Sequence, residues 1–146
     1  MLTSVVIIGI SALMFCYWFR YTCSLILRTQ SSQDYSQNVA AANRLSFLSV
    51  RDELSEAPKE RLGDLQSMLD QDFEKLRYLI RHSGARDADS IPEEIILRID
   101  YQGLKAFCWM GRHLAPGAAR SALEEMSLIV GHFANSFGER TASAEA

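Results

Sequence analysis

From residue 2 to residue 19 the chain carries no charged side chain, and the run closes in Tyr17-Trp18-Phe19-Arg20-Tyr21. Wound as a helix, about 18 residues at ~1.5 Å each reach ~27 Å. That is just sufficient for a hydrocarbon core of ~30 Å. A helix apolar on every side has no wet face to offer a globular surface, so the segment is expected to span a membrane rather than pack in a soluble core. Two registers compete. In the shorter, Tyr17, Trp18 and Tyr21 form an aromatic belt and Arg20 meets the headgroups. In the longer, the span runs on through Leu25-Ile26-Leu27, and Arg20 must snorkel toward the end marked by Arg28. The shorter is preferred, because the aromatic cluster and Arg20 then explain each other. The expected membrane-interface residues are therefore Tyr17, Trp18, Arg20, Tyr21 and Arg28, within an anchor covering residues 1–28.

A cleaved secretory signal fits less well. Nothing basic precedes the run except the α-amino group, the run is long, and Ser31-Ser32 is a weak cleavage site. Arg20, Arg28 and Arg44 all follow the span and none precedes it. The positive-inside rule then places the N-terminus outside and the remainder in the cytoplasm.

Charge separates the chain into two parts. Ahead of Gln30 stand two arginines and no acid, a net +2; beyond it stand 13 basic and 18 acidic side chains, a net −5. A mildly acidic domain lacks the clustered Lys and Arg that a phosphate backbone requires, so nucleic acid is not an expected partner. Cys16, Cys23 and Cys108 are too few and too scattered for a disulfide framework or a zinc site.

After a polar stretch at 29–38, read as a linker or as continuation of the anchor helix, the periodicity is helical throughout. A first helix is expected over 36–57, with Val39, Ala40, Phe47, Val50, Leu54 and Ala57 on its apolar stripe and Pro58 ending it. A second, over 59–83, steps through Leu62, Leu65, Leu69, Phe73, Leu76 and Ile80, with Gly84 as its C-terminal residue. Gly84 to Asp89 is expected as a loop, and Ser90-Ile91-Pro92-Glu93 as a capping box for a third helix reaching Leu114. That helix is apolar around most of its circumference. It is thus expected to be the central helix of the domain or to bury a second face. After Ala115-Pro116-Gly117, a fourth helix over 118–137 carries Ala119, Leu123, Met126, Val130, Phe133 and Phe137, with Glu124, Glu125, His132 and Asn135 turned away. Gly138 is expected to close it, leaving 138–146 as a disordered tail. The fold class expected is all-α: a single-pass transmembrane helix, then an antiparallel bundle of three or four helices over 39–137.

The residues that carry chemistry do not assemble into a reactive pattern. His82, His113 and His132 each lack an acid three or four places earlier, so the Glu-x-x-His pairs of a di-iron bundle are missing. There is no Gly-x-Ser-x-Gly, no P-loop and no Gly-x-Gly-x-x-Gly. Cys108 and His113 diverge on a helix, and buried, inert Cys108 is the simpler expectation. No catalytic, metal or cofactor-binding residue is assigned. The sequence 107–113, Phe-Cys-Trp-Met-Gly-Arg-His, is rich in interface residue types. Filling the core is its expected role, with Trp109 the exception because Arg and Gln neighbours surround it on the wheel. Trp109, Arg112 and His113 are the candidate partner surface. The function expected is non-catalytic: membrane lipid held through the first helix, and a protein partner, or a second copy, bound by the cytoplasmic helices as accessory subunit or scaffold. The alternative is a membrane-tethered sensor or small-ligand-binding bundle, with a pocket lined by Phe107, Met110, Met126 and Phe133.

Overall fold

The computed structural model describes residues 1–29, 33–83 and 91–145, and among these there is no strand. The regular structure comprises α1 (Leu2–Arg28), α2 (Ser36–Asn43), α3 (Phe47–Leu54), a 3-10 turn (Lys59–Arg61), α4 (Leu62–His82), α5 (Ile91–Leu114) and α6 (Pro116–Glu145). The chain divides into two units, Met1–Gln30 and Ser31–Ala146.

In the first unit α1 is one uninterrupted helix of 27 residues. It is long and apolar enough to cross a membrane, and a secretory signal sequence would pass the same test of length and composition. Near its end two hydroxyls bond back to the helix: Thr22 donates to the Trp18 carbonyl at 3.0 Å, and Thr29 to that of Leu25 at 3.1 Å. Thr29 leaves helical geometry, with φ −68° and ψ 96°. Helix α1 therefore ends at Arg28, and residues 30–32 of the polar stretch lie outside the described residues.

Among the described residues the second unit holds five α-helices rather than three or four. The extra one arises because the single helix expected over 36–57 breaks at Arg44, which takes up a left-handed φ of 52°. The Leu45 amide then donates to the Ala40 carbonyl at 2.9 Å, the six-to-one closure that ends a helix with a left-handed residue. The new start is capped from another helix: Asp72 of α4 accepts from the Ser46 amide at 2.5 Å. Burial pushes the Asp72 carboxyl above its ordinary range, against the pull of the Ser46 and Phe47 amides. The apolar positions survive the break, and Val39, Ala40, Phe47, Val50, Leu54 and Ala57 are all buried.

The stripe of α4 is buried as its spacing predicts, from Leu62 to Ile80. The C-terminal Gly84, the loop that follows it and Ser90 lie outside the described residues. The largest departure is α6. It runs 30 residues to Glu145, through Gly138 and the stretch expected to be a disordered tail. Gly138 does not close the helix; it sits under Tyr35, whose ring and Cβ occupy the space a side chain there would need. Asn135, expected to face away, accepts from the Tyr35 amide at 2.6 Å. His132 is half-buried rather than a surface residue, and desolvation holds its imidazole below the usual range, with Glu93 opposing.

Helix α6 is also the hub of this unit: α2, α3, α4 and α5 all pack on it. Small residues permit the approach, since Ala119, Ala122, Ala134 and Gly138 are buried along its length. Gly111 of α5 comes against Ala119 so closely that an added Cβ would lie 3.5 Å from the alanine's own. The central position expected for α5 therefore belongs to α6. The second apolar face of α5 is not buried.

Candidate interaction face

Helix α5 packs inward through Leu97, Tyr101, Leu104, Cys108 and Gly111. Tyr101 stacks on Phe73 with ring centroids 4.0 Å apart and planes 5° from parallel. Its hydroxyl donates to Asp70 at 2.9 Å, and Lys105 reaches the other oxygen of the same carboxylate at 2.9 Å. Burial and the neighbouring carboxylates push the Tyr101 hydroxyl far above its usual value, so it stays a proton donor. Cys108 is buried and its thiol is pushed up by desolvation, with Arg112 pulling the other way.

The opposite face is apolar and open. Ile91, Ile95, Ile99, Phe107, Trp109, Met110 and Leu114 are all exposed. Outside α1, the described residues leave two further large apolar side chains exposed, Tyr78 and Leu128. The surface apolar character of the second unit is thus gathered on one helix. Trp109 is 62% exposed, Ile99 54% and Leu114 79%. Scattered single exposures need no explanation, but seven along one helix concentrate the exposed apolar side chains there.

Of the residues proposed from sequence, Trp109 and His113 lie on this face, their rings edge-on at 6.5 Å. Arg112 lies on its border, half-buried, with its guanidinium over Gly63 of α4, where a side chain would collide. The Arg112 Nε is buried without an acceptor. Arg98 and Arg112 make no ion pair among the described residues. The expectation that Phe107 and Met110 fill the core is overturned: of the sequence 107–111, Cys108 and Gly111 point inward, and the others do not. Ile91, Ile95, Ile99 and Leu114 were not singled out from sequence as surface residues. Their signal was present in the nearly all-round apolarity of α5, which showed two faces without showing which would be covered.

The anchor residues behave as a set. Tyr17, Trp18 and Tyr21 are exposed, and the Trp18 and Tyr21 rings meet edge-on at 6.2 Å. Arg28 occupies the last turn of α1, where its charge suits the helix dipole; Arg20 lies two turns earlier in the same continuous helix.

Comparison with known protein families, with curated protein sequences and with solved structures finds no match to this chain.

The pocket expected from Phe107, Met110, Met126 and Phe133 does not form, because the first two are exposed and the last two are buried. Phe133 instead lines a cleft of about 220 Å³ with Phe73, Ile80, Arg77 and Arg98. That is below the ~300–1,000 Å³ typical of a small-molecule site. Among the described residues, no three His, Cys, Asp or Glu side chains converge as metal ligands.

Proposed function

We propose that this chain is a non-catalytic, single-pass membrane protein whose cytoplasmic helical domain, an antiparallel bundle built on α6, docks a protein through the outer face of α5. It would serve as an accessory subunit or scaffold. The observation that carries this reading is the concentration of exposed large side chains on α5, from Ile91 to Leu114, while the stripe of α4 is buried. Exposed apolar surface of that extent costs solubility unless a partner covers it, and Trp, Met, Phe and Arg are the types enriched where partners bind.

Trp109→Ala tests the face. The expected outcome is loss of associated protein from the gently solubilised full chain, with helicity unchanged and the melting temperature within about 2 °C, as for a surface substitution. A large fall in melting temperature would put Trp109 in the core and end this reading.

The orientation has its own check. With Arg20, Arg28 and Arg44 following the span, a reporter fused after Glu145 should be active on the cytoplasmic side. Activity confined to the outside would reverse the topology.

A further inference from the structure

We infer that the cleft between α4, α5 and α6 binds a small organic anion, a carboxylate or phosphate monoester carrying a short apolar tail. The site differs from the open face of α5 and goes beyond the docking role proposed for that face.

The cleft has two kinds of wall. Phe73 and Ile80 of α4 and Phe133 of α6 line it, and each is no more than 5% exposed. They form an apolar floor, held in place by the edge-on packing of Phe133 against Phe73 at 5.5 Å. Ile95 continues that floor along α5 and stays partly open to solvent. Arg77 and Arg81 of α4 and Arg98 of α5 line the same space. Arg77 is met by Glu74 at 3.1 Å, where both side chains are well exposed. Arg81 and Arg98 make no ion pair among the described residues. Glu94 also lines the cleft, with Arg140 at 3.6 Å from it. The lining thus holds three cations and one acid, a net +2, within a part of the chain whose net charge is −5. Counting the partners Glu74 and Arg140 leaves that balance unchanged.

Arginine stems also cover apolar surface while their heads stay in water. That use explains a single arginine beside Phe73 or Ile80. It does not explain three drawn from two helices around one hollow, because like charges repel unless an anion lies among them. The planar guanidinium fork matches carboxylate and phosphate oxygens, and the apolar floor beneath selects an anion with a hydrocarbon tail. Size restricts the tail. The cleft of about 220 Å³ has the room of about seven waters at ~30 Å³ each. A nucleotide or a long acyl chain is too large, whereas an anionic head on roughly three or four carbons fits.

The test is isothermal titration calorimetry of the full chain in phosphatidylcholine nanodiscs, with empty discs as the blank. Pentanoate and propyl phosphate are the probes. At least one should bind at millimolar concentration or below, and the tighter of the two identifies the head group. Pentanol and pentylammonium keep the tail without the negative head. They should bind at least ~tenfold more weakly, because they forgo charge-assisted bonds to arginine. Acetate keeps the head and should also lose at least ~tenfold, because it buries far less hydrocarbon.

Arg81→Gln combined with Arg98→Gln should weaken binding of the anion at least ~tenfold. Both side chains are exposed, so the melting temperature should stay within about 2 °C. Trp109→Ala lies outside the cleft and should leave the affinity unchanged, so failure of the docking face and failure of this site are read separately. Absence of binding by both anions at millimolar concentration would overturn the inference. So would pentylammonium binding as tightly as the anions, or full affinity in the double variant. The pentylammonium comparison uses the natural chain and decides the matter even if the double substitution unfolds it.

Discussion

Phe73→Ala should destabilise the helical unit by about 4 kcal/mol, the upper range for emptying a large aromatic from a core. Phe73 is 2% exposed and joins three helices. From α4 it stacks on Tyr101 of α5 at 4.0 Å, and it meets the edge of Phe133 of α6 at 5.5 Å with planes 79° apart. Truncation therefore removes two aromatic contacts, each worth ~0.5–1.5 kcal/mol beyond its area, and leaves a void bounded by rings that cannot collapse into it. Helix α4 makes few contacts with α5 away from this point and the Asp70 cluster, so the loss falls where the two have little else in common. Thermal unfolding of the full chain in mild detergent, followed by circular dichroism, should show a fall on the order of 15–20 °C. A fall of only ~2 °C would mean that the junction is loosely packed. Phe107→Ala, on the open face of α5, is the matched control, because the same chemical change there creates no cavity.

Arg120→Ala should cost about 3 kcal/mol. The Arg120 guanidinium, from the first turns of α6, donates to the carbonyls of Leu54 at 2.7 Å and Ala57 at 2.9 Å, and at 3.4 Å to that of Ser55. These are the orphan acceptors at the end of α3, a helix of 8 residues, and both Leu54 and Ala57 are buried. Hydrogen bonds from a charged donor contribute ~1.5–3 kcal/mol, and removing the donor strands buried carbonyls that water reaches poorly. Arg120→Lys should recover less than half of the loss, because an ammonium cannot span acceptors on both sides of the turn as a planar fork does. Urea unfolding of the three proteins gives the comparison; equal midpoints for wild type and Arg120→Ala would show that solvent caps α3 unaided.

These two residues divide neatly between what periodicity reveals and what it hides. Phe73 sits in the Leu62–Ile80 stripe, and its burial follows from spacing by three and four. Arg120 gives no such signal. It is one arginine among several near a helix start, where a positive charge is unfavourable to the helix dipole. Its use as a cap for α3 depends on a segment 63 to 66 positions earlier in the chain. The same holds for Asp72, which caps the start of α3 from the middle of α4 and thereby makes the break at Arg44 tolerable. A polar side chain whose partner is distant in sequence cannot be assigned from its neighbours.

The sequence by itself determined that the chain is helical and that one apolar run at its N-terminal end is long enough to cross a membrane. It also determined which side chains of α4 turn inward. Those properties are local: they follow from side-chain polarity repeated at the pitch of a helix, and no other segment is needed to establish them. The tertiary structure decided which helix takes the centre. Both α5 and α6 carry enough apolar residues for the role, and α6 takes it because Ala119, Ala122, Ala134 and Gly138 let other helices come close, while the bulky Ile, Trp and Met of α5 hold neighbours off. Once α6 is central, α5 can cover only one of its two apolar faces, and Ile91 to Leu114 remain outward. The candidate site is therefore a product of competition among helices for a limited interior, which no stretch of α5 could have shown alone.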